Sequence, residues 1–393
     1  MRLLHLPIVA RAFGRMIGKV PAGHLWYLLR QMRFEKPHRF GGQVRFNTFF
    51  PPYPSAAFDR FCNAVVGRRR VPFSTYVAVT GRCPFACEHC SYARREATDM
   101  PADLLLDVVR QVKELGTCTI GFTGGEPLLH EGLEAAVAAA GPEMSPIIFT
   151  TGAGLDIACA RRLARAGAAC VTVGIESADV AAHDAARKSA GSFEQARAAV
   201  AAGNAAGLYM AVSTTALRGR IASGELERMY ALAADWGARE FRVLAPVATG
   251  GITGCAAAML GANELAYLRD FHRRCNRRRG GPVVASFAHL ESDEMFGCGA
   301  GYHHLFIDAA GNVCPCDLTP LSFGNIHEQP LAEIWTQMAE YFPRPRCGCL
   351  MGKIGGDINA GAPLPIPPQQ SRQMIPPPAD EPLPGGYQRL LRP

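Results

Sequence analysis

The sequence has no uncharged run able to cross a membrane. Its longest, Val243 to Asn263, holds Pro246, four glycines and several polar residues, which excludes a lipid-facing helix there. The first residues do not read as a secretory signal, because Arg11, Arg15 and Lys19 interrupt the apolar stretch. Charged residues are sparse, 19% against 48% hydrophobic, so enough apolar material exists for a large core and wholesale disorder is excluded. No solenoid-type repeat is visible. Acidic residues are nearly missing from residues 1–71, which carry only Glu35 and Asp59 against thirteen Lys/Arg. That head is +11 in a chain of +7, leaving −4 for the rest.

A basic head on a slightly acidic body suits an acidic partner: an anionic membrane surface, nucleic acid or an acidic peptide. The plainer alternative is a solvated basic face. Leu3, Leu4, Ile8, Val9, Phe13, Ile17 and Val20 alternate with Arg11, Arg15 and Lys19, as in an amphipathic helix lying on a membrane. The expectation is a cytoplasmic protein with peripheral membrane contact and no nucleic-acid partner.

Fourteen cysteines are present, and at this length and spacing they suit metal ligands in a reduced compartment better than disulfides. From Thr75 to about residue 280, six β-branched or apolar runs alternate with six helix-like stretches. Such a series predicts a parallel sheet with right-handed crossovers, two units short of an eight-fold barrel. Active sites of such sheets lie at the C-terminal ends of the strands. After residue 280, Val283–Phe287 and Leu305–Asp308 read as strands and Leu331–Phe342 as a helix. Residues 362–393 hold ten prolines and read as a flexible tail. The predicted division is a basic extension (1–71), a barrel (72–280), a small α+β module (281–361) and the tail (362–393).

The first predicted strand runs into Cys83, Cys87 and Cys90, spaced C-x3-C-x2-C. Three thiolates in eight residues leave one unpaired in any disulfide scheme. They can cap one face of a cubane iron–sulfur cluster and leave one iron open; a zinc knuckle is the alternative. The second strand ends in Gly124-Gly125-Glu126-Pro127, glycines that allow close backbone approach followed by a carboxylate.

Taken together, these two motifs resemble the radical S-adenosylmethionine (SAM) superfamily over about residues 73–350. The resemblance implies an α/β partial (β/α)6 barrel with a small C-terminal α+β iron–sulfur extension. It implies that Cys83, Cys87 and Cys90 bind a [4Fe–4S] cluster whose open iron chelates SAM. It places His89 near the adenine, and Gly124, Gly125 and Glu126 at the SAM amino group. Glu176, Ser177, Ser213 and Thr215 would contact the ribose and carboxylate, and Arg187 the carboxylate. The run Ala245 to Gly250 would border the adenine, while Thr151 receives no role. The implied chemistry is reductive cleavage of SAM to a 5′-deoxyadenosyl radical that abstracts hydrogen from substrate carbon. A reductant such as flavodoxin or ferredoxin would feed it.

Cys298, Gly311 and Cys316 resemble the opening of the SPASM/twitch auxiliary iron–sulfur module, followed by Phe323-Gly324-Asn325-Ile326. The longer cysteine series of that module is reduced here to Cys347 and Cys349. The resemblance implies one auxiliary [4Fe–4S] cluster on Cys298, Cys316, Cys347 and Cys349, with Cys314 as a substitute or a free neighbour. Three function classes follow: a peptide- or protein-modifying enzyme, the same chemistry on a small molecule or membrane lipid, and a non-catalytic electron-transfer protein.

Overall fold

The computed structural model describes residues 6–377 and 382–391. The head forms α1 (Leu6–Phe13), α2 (Ala22–Met32), a hairpin of β1 (His38–Phe40) and β2 (Gln43–Arg45), and α3 (Ala56–Val66). Alternation then begins with β3 (Ser74–Thr80), α4 (Ala102–Glu114), β4 (Thr119–Gly124), α5 (Leu133–Ala140), β5 (Ser145–Thr150) and α6 (Ile157–Ala166). It continues through β6 (Cys170–Gly174), α7 (Val180–Arg187), α8 (Ser192–Ala205), β7 (Met210–Thr215), α9 (Arg218–Ala222), α10 (Glu225–Asp235) and β8 (Glu240–Leu244). After α11 (Ala262–Arg277) come β9 (Val283–Ser286), α12 (Phe287–Leu290), β10 (His304–Ile307), β11 (Val313–Cys314), α13 (Leu331–Met338) and α14 (Leu350–Ile354). The last elements are α15 (Pro368–Met374) and α16 (Gly385–Gln388).

Among the described residues the main sheet has the order β11-β10-β3-β4-β5-β6-β7-β8-β9, parallel except at the β10–β11 pair. The six expected strands lie in chain order, as same-handed crossovers dictate. The helices bury one stripe against them. In α4, Leu105, Val108, Val109 and Val112 recur at helical spacing and are all buried. Asp156 and Asp179 start α6 and α7 by accepting from Cys159 N (2.7 Å) and Ala182 N (2.8 Å).

The sheet ignores the boundary drawn at residue 280. Both strands expected in the C-terminal module join it in parallel, β9 against β8 and β10 against β3. An open parallel sheet leaves unpaired edge groups, and these strands cover both edges of the six-stranded core. The sheet also curls. Arg242 on β8 reaches the Tyr76 hydroxyl on β3 at 3.5 Å, although five pairings separate the two strands. These side chains therefore face a barrel lumen.

The head is not a surface helix. Val9, Ala12, Phe13, Met16 and Val20 are buried in a cluster with Phe46, Phe58, Tyr302, Tyr387 and Leu390. The apolar face expected to insert in a membrane is used inside the protein, because the head carries its own aromatic partners. Ile17 stays 64% exposed, and Leu3 and Leu4 lie outside the described residues. The β1–β2 hairpin and the turn after it close the N-terminal mouth of the barrel. There Thr48 N donates to Glu240 Oε2 (2.9 Å), His38 meets the Tyr209 hydroxyl (3.1 Å), and Arg45 lies 4.5 Å above the Tyr209 ring.

Over its described residues the tail packs on the rest of the protein. Ile366 pairs with Leu321, Arg346 donates to Pro376 O (3.0 Å), and the Tyr387 hydroxyl meets His303 Nδ1 (2.9 Å). Leu364, Ile366, Ile375, Tyr387 and Leu390 are buried. Its prolines set an extended path with little entropy left to lose, and these few apolar anchors suffice to dock it. Among the described residues no helix is long and apolar enough to cross a membrane.

Candidate active site

The cysteine loop leaves the C-terminal end of β3 and is held by backbone on two sides. From the β4 end, Gly125 N donates to Thr80 O (2.7 Å) and Glu126 N to Arg82 O (2.8 Å). A Cβ on Gly125 would sit 2.0 Å from Arg82 O, so the glycine is demanded by the loop rather than by a ligand. From beyond β8, Gly251 N donates to Cys90 O (2.9 Å), and a Cβ on Gly250 would meet that same oxygen at 2.1 Å. The segment expected to border the adenine therefore supports the loop directly.

Cys83, Cys87 and Cys90 are all free thiols. Burial pushes Cys83 up to about 11, with Glu126, Cys90 and Cys87 adding to the rise. Burial also raises Cys87, against the pull of Arg187. Thiols that disfavour one another's ionisation, with a loop built to hold them together, form a donor set that a cationic iron–sulfur cluster satisfies.

The Glu126 carboxylate is held by the chain itself. Its buried carboxylate accepts from Leu128 N (3.1 Å), Thr150 Oγ1 (2.7 Å), Thr151 N (2.8 Å) and Thr151 Oγ1 (2.6 Å). Burial pushes the carboxyl upward, and these donors oppose the rise. It ties the β4 end to the β5 end, and Thr151, unassigned from the sequence, is half of that tie.

Glu176, at the end of β6, is the hub of the site. It faces His89 Nε2 at 2.9 Å, Arg187 at 2.9 Å and Arg220 at 3.0 Å. Burial alone would raise this carboxyl, but Arg187, His89 and Arg220 hold it well below the usual range. His89 is thus anchored from the cysteine loop onto the barrel, and Arg187 also acts on Cys87, pulling its pKa down against burial. Two guanidiniums against one carboxylate leave a surplus of positive charge beside the cysteines, which suits an anionic group such as a carboxylate. Ser177 points elsewhere, donating to Glu225 Oε1 (2.6 Å). Ser213 and Thr215 are half-buried and alternate along β7. Arg220 was missed in the sequence; its one signal is being the second basic residue after a polar strand end.

The second cysteine group lies at the other end of β3. His304, in register with Ser74, is close to Cys316 and Asp317, with donor atoms within 4.8 Å of one another. Six residue steps along β3 separate this level from Thr80, roughly 20 Å at about 3.3 Å per residue. Cys298 and Cys349 are free thiols set against each other; that contact, with burial, raises Cys298 well above its ordinary value, while Cys349 is lowered by it. Burial pushes Cys316 well up, with Asp317, Glu291 and Cys298 adding to it. Cys347 instead directs its Sγ to Pro382 O (3.1 Å). Cys314 is buried beside Arg95, itself paired with Asp308 at 2.9 Å, and is pushed up to about 11 by burial.

The Radical SAM superfamily matches residues 77–223, and the iron-sulfur cluster-binding domain called SPASM matches residues 298–347. PqqA peptide cyclase of Streptomyces rochei is 34% identical over 281 residues, covering 67% of this chain and 75% of that protein. The chain belongs to the radical SAM superfamily. It is an enzyme that binds a [4Fe–4S] cluster and SAM, with a SPASM domain for auxiliary iron–sulfur. AdoMet-dependent heme synthase of Nitratidesulfovibrio vulgaris is 26% identical, covering 72% of this chain and 86% of that one. Among solved structures, Streptococcus suis SuiB bound to precursor peptide SuiA has a TM-score of 0.57 at 16% identity, covering 71% of this chain and 69% of that one. The anSMEcpe structure with bound AdoMet has a TM-score of 0.57 at 16% identity, over 77% and 96%. These two likenesses are of fold.

Proposed function

We propose that this radical SAM enzyme modifies a peptide, forming a bond at an unactivated carbon of a side chain. The observation that carries the reading is the 34% identity to a peptide cyclase over three quarters of that protein's length. The lumen between the two cysteine levels agrees with it: Tyr76, Phe149 and Arg242 line it, with Arg242 between the Phe149 and Phe287 rings.

Cys83, Cys87 and Cys90 would hold the SAM-binding cluster, and Cys298, Cys316 and Cys349 one auxiliary cluster with a fourth donor from Cys347, His304 or Asp317. The first cluster, when bound, supplies the electron that cleaves SAM to methionine and a 5′-deoxyadenosyl radical. The chain's own residues supply the frame. Arg187 and Arg220 orient a carboxylate, and Glu176 fixes both guanidiniums and His89. Gly124, Gly125 and Gly250 let the strand ends clamp the loop. The hairpin at the N-terminal mouth keeps water from the lumen, which protects a radical.

A small-molecule substrate is the second reading, favoured by the identity to a heme synthase covering 86% of it. The reductant would be a low-potential carrier such as flavodoxin or ferredoxin. The basic residues of the head would give at most a charge-driven contact with anionic membrane, since its apolar face is covered. The test is anaerobic incubation of cluster-loaded enzyme with SAM, dithionite and peptides encoded beside its gene, read by mass spectrometry. A peptide lighter by two hydrogens supports the reading. Deoxyadenosine formed with every peptide unchanged, and a porphyrin-class substrate altered, would transfer it to the second.

A further inference from the structure

Outside both cysteine groups, Glu35, His272 and His289 meet inside the protein. All three are buried, with exposures of 3%, 0% and 0%. Each offers a donor atom, and these atoms lie within 4.8 Å of one another. They come from separate parts of the chain: Glu35 from the head just after α2, His272 from α11 and His289 from α12.

Hydrogen bonding alone does not account for the cluster. Both ring nitrogens of His289 and the Oε1 of Glu35 have no hydrogen-bond partner. Burying a polar atom without a partner is costly, and here Glu35 Oε1 and a His289 nitrogen share one pocket unpartnered. His272 is in the complementary position. Its Nε2 lies 3.2 Å from Glu35 Oε1 and 3.2 Å from the Asn276 amide nitrogen. That amide is fixed by Val284, which accepts from Nδ2 (2.9 Å) and donates to Oδ1 (2.8 Å), so its amino group faces the ring. Nε2 therefore faces the amide on one side and the Glu35 carboxylate on the other, beside the unpartnered nitrogens of His289. On the other side of the ring, Ser286 N donates to Nδ1 (3.3 Å), which fixes the plane of the imidazole. The other Glu35 oxygen already accepts from Asn47 Nδ2 at 2.8 Å, which orients the carboxylate.

We propose that Glu35, His272 and His289 bind a structural zinc ion that ties the N-terminal segment to the α11–α12 end of the barrel. Two imidazoles and one carboxylate are borderline donors that zinc accepts at about 2.0–2.2 Å. A small inward movement of the three donors forms the site. Its burial assigns it to holding the floor of the barrel in place rather than to chemistry on a substrate.

The test is elemental analysis of purified, cluster-loaded enzyme after dialysis against a chelator. About one zinc per chain is expected, beside the iron. Zinc K-edge absorption should show nitrogen and oxygen neighbours near 2.0–2.1 Å without sulfur. E35Q and H289A should lose the zinc and keep the parent iron content, which also reports that they fold. Parent enzyme with less than about a tenth of a zinc per chain overturns the proposal. So does zinc whose neighbours are sulfur, which would be zinc on the cysteines, or zinc retained fully in both variants.

Discussion

Replacing Glu176 by Gln tests the hub. The substitution keeps the shape of a side chain that is 6% exposed but removes its charge. Arg187 and Arg220, held at 2.9 and 3.0 Å, would then carry uncompensated charge in a buried site. Removing one partner of a buried ion pair costs about 3–5 kcal/mol. Arg220 has some access to solvent, so the lower end applies, about 3 kcal/mol. With a urea dependence of about 3 kcal/mol per molar, the unfolding midpoint should fall by about 1 M. The pH dependence follows from the depressed folded-state value of Glu176. Its stabilisation is fully present above the unfolded carboxyl value near about 4.3 and is lost as pH falls toward the folded one. The penalty of E176Q should therefore persist at neutral pH and shrink below about pH 4. A midpoint shift under about 0.3 M at pH 7 would refute the hub.

Changing Cys83, Cys87 and Cys90 together to Ala should abolish deoxyadenosine formation while the auxiliary iron stays bound; parent-rate formation would contradict the assignment. Cys349→Ser should remove far more of the auxiliary iron than Cys347→Ser, because Cys349 meets Cys298 whereas Cys347 faces Pro382 O; equal losses by iron assay would argue otherwise. Gly125→Ala forces a Cβ to 2.0 Å from Arg82 O, so the protein should fold with its cysteine loop displaced and about four irons fewer per chain. Phe13→Ala should destabilise the head by about 3–4 kcal/mol in denaturant titration, and vesicle pelleting of the parent should vanish at high salt; pelleting that persists in high salt would show that the apolar face reaches lipid after all.

The chemistry-bearing motifs were legible because they are local. Cys83, Cys87 and Cys90 span eight residues on one loop, and strand–helix alternation reads directly from apolar periodicity. The roles of Glu126 and Glu176 were not legible. Each lies at a strand end, where its partners come from other strand ends: Thr150 and Thr151 for Glu126, His89, Arg187 and Arg220 for Glu176. The tail misled because composition averages over Leu364, Ile366 and Tyr387, the few residues that dock it. The head misled because an amphipathic stripe looks the same whether its apolar face meets lipid or Phe46 and Tyr387.

By itself the sequence determined the parallel strand order, the first cysteine triad and the family, since spacing and periodicity survive without knowledge of contacts. Tertiary structure alone decided where the described residues of head and tail pack, which strands complete the sheet, and which side chains share a carboxylate. Those outcomes depend on pairings between residues up to more than two hundred positions apart. Their free energy comes from burial and charge compensation that exist only once the barrel has closed.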